Sequence, residues 1–144
     1  MRALLDVNVV IALLDAAHAF HQRAHEWWAE NCSHGWAGCS LVENGVVRIM
    51  VHPGYSAERR FRVEEIIHAL SDFAVATDYE FWPDSLTLRD ETSFSADRIH
   101  GGRQLTDLYL LALASHHRGR LVTFDQAIPL SSVKMAHSSN LVVL

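Results

Sequence analysis

The stretch MRALLDVNVVIALLD (residues 1–15) places a carboxylate, Asp6, and an amide, Asn8, inside an otherwise apolar run. RALLD (2–6) predicts a short buried strand, and NVVIALLDAA (8–17) predicts a short helix after it. A carboxylate is rarely buried without a partner, because its removal from water is costly. Asp6 therefore either ends the strand or serves a function at the strand end, and we expect both.

The bulk composition is that of one ordinary globular domain. The chain has 144 residues, of which 49% are hydrophobic, and its formal net charge is −5. An acidic balance argues weakly against nucleic-acid binding, which usually leaves a basic footprint. Two cysteines cannot build a disulfide framework, and no apolar run approaches the roughly 18 residues of a membrane span. We therefore expect a cytoplasmic protein that does not enter a membrane.

Apolar strands alternate with helices along the rest of the chain. The predicted strands are GWAGC (35–39), YEFWPD (79–84), RLVTFD (120–125) and AHSSNLVVL (136–144). The predicted helices are HAFHQRAHEWWAEN (18–31), SLVENGVVRIMV (40–51), SAERRFRVEEIIHALSD (56–72) and TDLYLLALASHHRG (106–119), the last with Gly119 as its C′ cap. This alternation predicts an α/β fold with a parallel sheet covered on both faces. In such sheets ligands bind at the carboxyl ends of the strands.

Four acids, from distant parts of the sequence, occupy a strand end or a helix start: Asp6, Glu43, Asp107 and Asp125. In a parallel sheet these carboxylates can meet at one edge. Carboxylates that meet repel one another, so some would stay protonated without a counter-charge. Mg²⁺ is the natural counter-charge, because it binds through one or two carboxylates and shares the phosphate oxygens of a substrate. Such a site could activate water for phosphodiester hydrolysis.

Each acid except Asp6 also has a structural explanation. Glu43 lies three residues after Ser40, as in a capping box. Asp107 follows Thr106, which could be an N-cap, and Asp125 could be a turn residue. Taken together, the common placement of all four favours metal binding.

Two further groups of polar residues could contact ligands. His18, His21 and His25 share a helix face and could hold Zn²⁺. No fourth ligand lies nearby in the sequence, so a solvated surface is the preferred interpretation. Arg103, just before the helix that carries Asp107, is the better candidate for contact with a substrate phosphate.

Together, LLDVN (4–8), Glu43 in a helix after the second strand, TDLYLLALA (106–114) and LVTFD (121–125) resemble the PIN-domain nucleases, most closely the VapC-type toxins of toxin–antitoxin pairs. The resemblance covers the whole chain. It implies one PIN domain over 1–144, with a PIN-like α/β/α sandwich and a central parallel β-sheet.

The resemblance also implies an activity. Members are endoribonucleases that depend on Mg²⁺ or Mn²⁺ and cut cellular RNA, commonly tRNA or rRNA. They form homodimers and are inhibited by a cognate antitoxin. Carried over, the metal-site acids are Asp6, Glu43, Asp107 and Asp125, with Asp6 and Asp107 as the expected direct ligands. Polar residues that would orient them are Asn8, Thr106 and Thr123.

Two alternatives stay open at this stage. An aspartate-nucleophile phosphatase would want a second Asp two residues after Asp6, where Asn8 stands. A catalytically inactive domain could use the acidic pocket to bind RNA or protein. Some relatives carry a further acid shortly after the position of Asp125, which QAIPL (126–130) lacks, so the sequence does not decide between one and two metal ions.

Overall fold

A computed structural model describes residues 1–144 as one sheet of five short strands surrounded by helices. The strands are β1 (Ala3–Leu5), β2 (Trp36–Gly38), β3 (Tyr79–Phe81), β4 (Arg120–Thr123) and β5 (Leu141–Val143). The helices are α1 (Val7–Leu14), α2 (His21–Asn31), α3 (Ser40–Val51), α4 (Val63–Ala76) and α5 (Leu105–His116). None of the helices combines the length and the apolar character that a membrane crossing requires.

The sheet is parallel throughout, with strand order β3-β2-β1-β4-β5. The chain winds in one direction from β1 to β3 and then returns past β1 to form β4 and β5. Right-handed crossovers in opposite directions place helices on opposite faces of a sheet. The α/β/α prediction is therefore confirmed, and the reversal falls between β1 and β4, where such sheets bind ligands.

The core lies where the central strands meet the helices. All three residues of β1 are buried, and α5 is buried over Leu108–Ser115, which explains its unbroken apolar sequence. Helix α3 approaches α1 closely because Gly45 has no side chain. A Cβ at that position would lie 2.7 Å from Val7 Cγ2. This contact holds the start of α1 beside the sheet edge where Asp6 lies.

Two predicted helices begin later than their sequences indicate. The helix predicted over 18–31 begins at His21, so His18 lies before α2 and not on a helix face with His21 and His25. We predicted a helix over 56–72, but α4 begins at Val63, and the preceding residues form an irregular segment. That segment is held against the end of α1, because Arg59 makes a bidentate ion pair with the buried Asp15, with N–O distances of 2.7 and 2.8 Å. The Tyr55 hydroxyl also donates to Asp15. These contacts outweigh the helical preference of the segment.

The predicted cap of α5 is also wrong by one residue. Arg118, and not Gly119, takes the left-handed backbone conformation after the helix, with φ of 55°. Gly119 is needed for a different reason, since a Cβ there would lie 2.7 Å from both the Arg2 carbonyl oxygen and the Trp82 ring. The glycine therefore permits close packing between the end of α5 and the sheet.

Candidate active site

Asp6 follows β1 directly and is the N-cap of α1. It therefore ends the strand, as expected, and lies at the strand end where we expect a functional carboxylate. Its side chain is only 7% exposed. One carboxylate oxygen, Oδ1, accepts from Val7 N at 2.7 Å, and the other, Oδ2, accepts from the Thr123 hydroxyl at 2.7 Å. Asp6 is therefore a buried carboxylate fixed between two adjacent strands.

Asp125 and Asp107 approach Asp6 from β4 and α5. The backbone N–H of Asp125 donates to the Thr123 hydroxyl oxygen at 3.0 Å, so that hydroxyl contacts both acids. Asp107 lies in the first turn of α5, and its carboxyl is within hydrogen-bonding reach of that of Asp125. The structure thus brings together three of the four predicted acids at the carboxyl ends of β1 and β4.

None of the three carboxyls forms an ion pair with a basic side chain. Burial raises the pKa of Asp6, and the charge of Asp125 adds to that rise, while the bonds from Thr123 and Val7 oppose it. Burial also raises the pKa of Asp107 to about 6, with further contributions from the charges of Asp6 and Asp125. Oxygen donors that repel one another in this way suit a hard divalent cation. No three His, Cys, Asp or Glu side chains are grouped in the geometry of a complete set of metal ligands.

Glu43 lies in the first turn of α3 and, unlike the other three acids, its side chain contacts a tyrosine. Its carboxylate accepts from the Tyr79 hydroxyl at 2.9 Å. It also lines a groove of about 760 Å³ between α3 and α4, whose wall is mostly apolar. The predicted capping box does not form, because Cys39 is the N-cap and Ser40 is already helical. The Tyr79 hydroxyl, and not the predicted capping box, therefore holds the Glu43 carboxylate.

The other predicted polar residues are more exposed. Asn8 and Thr106 lie on the first turns of α1 and α5, and neither side chain makes a hydrogen bond. Thr106 is not the N-cap of α5, which begins at Leu105. Arg103 is exposed in a short 3₁₀ turn just before α5 and makes no ion pair. Their assignments to carboxylate orientation and phosphate contact remain predictions.

Sequence reasoning missed two residues at this edge of the sheet. Tyr79 contacts Glu43 from β3, a long-range contact that no local pattern indicates. Asp84 is an exposed acid shortly after β3 whose carboxylate influences the buried Cys39 thiol. The sequence did indicate Asp84, because FWPD places an acid just beyond a predicted strand, as LVTFD does. Burial raises the pKa of the Cys39 thiol to about 11, and Asp84 adds to that rise, so this thiol stays neutral.

The histidine group of α2 has a structural role. His21 Nδ1 lies 2.7 Å from the Ala12 carbonyl oxygen, and His25 Nε2 lies 3.0 Å from that of Leu13. Both rings thus contact the last turn of α1, where carbonyl groups lack helical partners. This geometry agrees with the preference against a zinc site.

A family model matches most of the chain. The model described as the PIN domain matches residues 3–133, which include all four predicted acids. The chain belongs to the PIN-domain family. The resemblance stated on sequence motifs is confirmed.

Curated relatives of this PIN domain match over most or all of their length. Ribonuclease VapC44 of Mycobacterium tuberculosis is 42% identical over 147 aligned residues, covering 100% of both chains. Ribonuclease VapC39 of the same species is 37% identical, covering 89% of this chain and 91% of the relative. Ribonuclease VapC29 is 35% identical, with 89% of each covered.

The fold recurs in a solved structure. A chain from the crystal structure of VapBC2 from Rickettsia felis, bound to a DNA fragment from their promoter, superposes with a TM-score of 0.52. It shares 17% sequence identity, with 88% of this PIN domain and 90% of the other chain covered. At that identity the similarity supports the architecture alone.

Proposed function

We propose that this chain, a single PIN domain over 1–144, is a divalent-metal-dependent endoribonuclease and the toxin of a type II toxin–antitoxin system. Its reaction is hydrolysis of phosphodiester bonds in cellular RNA, of the tRNA or rRNA class. The observation that carries the proposal is the convergence of Asp6, Asp107 and Asp125, two of them with raised pKa values. The curated relatives, named ribonucleases, support the choice of RNA.

The proposed cofactor is Mg²⁺, or Mn²⁺ in its place. Asp6 and Asp107 are the direct ligands, and Asp125 and Glu43 complete the acidic set. When bound, the cation supplies a Lewis acid that activates water and neutralises charge on the phosphoryl group. Glu43, whose carboxylate accepts a hydrogen bond from Tyr79, would add a further negative charge to the set that holds the cation.

The chain's own residues hold the carboxylates ready. The Thr123 hydroxyl donates to Asp6 Oδ2 and the Val7 N–H donates to Oδ1, so the two contacts together fix the orientation of this carboxylate. We assign Asn8 and Thr106 to water or carboxylate contacts at the exposed side of the site, and Arg103 to a substrate phosphate. Since the pKa of Asp107 is about 6, this carboxyl ionises near neutral pH and is then able to bind a cation.

The geometry supports the nuclease over the phosphatase alternative. A phosphatase of this kind uses its aspartate as the nucleophile. Asp6 instead shares its edge of the sheet with Asp107 and Asp125, an acidic set that suits a divalent cation. Asn8 also stands where such a phosphatase would have its second Asp.

The proposed partner is a cognate antitoxin, and the proposed assembly is a homodimer. The groove between α3 and α4 is a suitable surface for an antitoxin helix, because Val63 and Ile67 on its rim are 51% and 48% exposed. Apolar grooves of this kind accept the apolar face of an amphipathic helix. Glu43 at one end would place an inhibitor beside the acidic site.

Growth on induced expression tests the proposal. We expect the native chain to arrest growth and Asp107→Asn to abolish the arrest, with the protein still soluble. Asp72→Asn removes the same charge from an exposed position on α4 and should leave the arrest intact. Continued arrest by a soluble Asp6→Asn/Asp107→Asn variant would contradict the metal-site mechanism.

A further inference from the structure

A second pocket, of about 450 Å³, lies between the loop that precedes α5 and the loop that follows β4. Its polar lining comprises Ser95, Arg98, Ser131 and Lys134. We propose that this pocket binds a phosphate of the RNA backbone beside the cleavage site. The inference rests on the proposed ribonuclease function and assigns part of its substrate-binding surface.

The two loops form a fixed framework. Phe94 and Val133 pair as an antiparallel bridge, and both are 2% exposed. The N–H of Ser95 donates to the Ser132 carbonyl at 3.0 Å, and the Ser132 hydroxyl donates to the Arg98 carbonyl at 2.8 Å. The backbone that carries both cations is therefore ordered by long-range contacts and does not need a ligand to take this form.

The cations of the pocket retain free donors. Arg98 is exposed and makes no ion pair or side-chain hydrogen bond. The Lys134 ammonium donates to the Glu91 carbonyl at 2.6 Å, which leaves two of its three hydrogens available. Several other arginines are already paired with acids, namely Arg2, Arg59 and Arg62.

The exposed Asp97 adjoins Arg98 in the sequence and the Glu91 carbonyl accepts from Lys134, but no carboxylate forms an ion pair with either cation. None of the residues that line the pocket is Asp or Glu. The nearby Asp90 carboxylate is occupied by the hydroxyls of Thr92 and Ser93, each at 2.7 Å. In a chain of net charge −5, two cations with two serine hydroxyls and no carboxylate form a local site for an anion. Phosphate oxygens accept from all of these donors.

The position of the pocket links this anion to RNA. The loop with Leu130, Ser131 and Lys134 begins five residues after Asp125 on the same chain segment. The loop with Ser95 and Arg98 runs forward into α5, which carries Asp107. The two segments that line the pocket are thus the ones that lead into α5, which carries Asp107, and away from Asp125. An RNA strand bound at those acids would follow these segments, with one of its phosphates over Arg98 and Lys134.

Binding of a labelled RNA tests the proposal. The probe is a fluorescein-labelled single-stranded RNA of mixed sequence, measured by anisotropy over a series of NaCl concentrations. The Asp6→Asn background keeps the probe uncut with Mg²⁺ present. In that background we expect Arg98→Gln/Lys134→Gln to weaken binding roughly three- to tenfold near 0.1 M salt and to reduce the salt slope by about 0.7.

Two matched variants separate a local contact from net charge and folding. Arg23→Gln/Arg118→Gln removes the same charge from exposed positions on α2 and at the end of α5, and should leave affinity and slope unchanged. Arg98→Lys/Lys134→Arg keeps both cations and should bind as the background does. Equal affinity and slope for the pocket variant and the control pair would overturn the proposal.

Cleavage kinetics keep the two proposals apart. In the otherwise native chain, the pocket variant should raise KM with kcat little changed, because it lacks only a binding contact. If the native chain cuts RNA and the variant has an unchanged KM, the pocket inference fails and the proposed function stands. If the native chain does not cut RNA but binding depends on Arg98 and Lys134, the function fails and the pocket stands.

Discussion

The Thr123 hydroxyl lies 2.7 Å from Asp6 Oδ2 and 3.0 Å from the backbone nitrogen of Asp125. One buried side chain therefore joins two acids of the site across adjacent parallel strands. Thr123 itself is completely buried, so neither contact can be replaced by bulk water. This arrangement fixes Asp6 before any ligand binds.

Replacement of Thr123 by Val tests the value of that hydroxyl. Val keeps the shape but removes both hydrogen bonds, so we expect a loss of about 1–2 kcal/mol in the free energy of unfolding. We also expect Mg²⁺ affinity to fall by roughly 10–100-fold, as for other losses of ligand-orienting contacts. Urea unfolding and calorimetric titration measure the two effects. Thr123→Ser retains the hydroxyl and should recover most of both. Unchanged metal affinity in Thr123→Val would refute the orienting role.

The raised pKa of Asp107 predicts a pH-dependent stability in metal-free protein. The folded state holds this proton up to about pH 6, whereas the unfolded chain loses it near pH 4. The folded state thus binds more protons over that interval, so stability should fall as pH rises from about 4 to about 6. Thermal unfolding in EDTA measures this slope.

Asp107→Asn isolates the contribution of this group. The variant should lose part of the decline, because Asn does not ionise, and should be more stable than the native chain above pH 6 without metal. Mg²⁺ should reverse that order above pH 6, because only the native carboxylate binds it. Identical pH profiles for the two proteins in EDTA would show that Asp107 is not destabilised by its neighbours.

The ion pair between Arg59 and Asp15 predicts the opposite dependence on pH. Hydrogen bonds from Arg59 hold the pKa of Asp15 well below its usual range. This pair therefore stabilises the fold above about pH 4, the unfolded value, and the contribution is lost as pH falls toward the folded pKa. Arg59→Gln should lower the melting temperature clearly at pH 7, and the difference should shrink progressively as the pH falls below about 4. Arg60→Gln, on the adjacent exposed residue, is the control. A pH-independent difference would contradict the ion-pair explanation.

The contact between Gly45 and Val7 predicts a steric effect at the start of α1. Gly45→Ala should destabilise the fold by about 1–3 kcal/mol, the usual cost of overpacking a buried contact. Val7→Ala in the same chain should restore part of that loss by making room for the new methyl group. Chemical denaturation of the two single variants and the double variant measures the coupling. Strict additivity would show that the two side chains do not meet.

The sheet and three acids of the site were predictable because their signals are local. Short apolar strands that end at an acid, as in LLD and LVTFD, indicate both the strand and the place where it stops. The parallel alternation then puts those ends at one edge. The start of α4 was not predictable, because a distant carboxylate, Asp15, determines the conformation around Arg59.

The contact that holds Glu43 was not predictable either, because it also comes from a distant residue. Its spacing from Ser40 indicated a capping box, but Ser40 is helical and Tyr79 contacts the carboxylate instead. The two residues are 36 positions apart, and only the pairing of β2 with β3 brings Tyr79 near α3. Local sequence patterns do not predict side-chain contacts that depend on the order of the strands in the sheet.

Cleavage of total cellular RNA by the purified, antitoxin-free chain is the decisive experiment for a metal-dependent ribonuclease. The native chain, Asp6→Asn and the exposed control Asp72→Asn would each be incubated with Mg²⁺ or with EDTA. We expect discrete fragments from the native chain and the control, only with the metal, and none from Asp6→Asn. Absence of cleavage by folded native protein with Mg²⁺ or Mn²⁺, or equal cleavage by Asp6→Asn, would contradict this function.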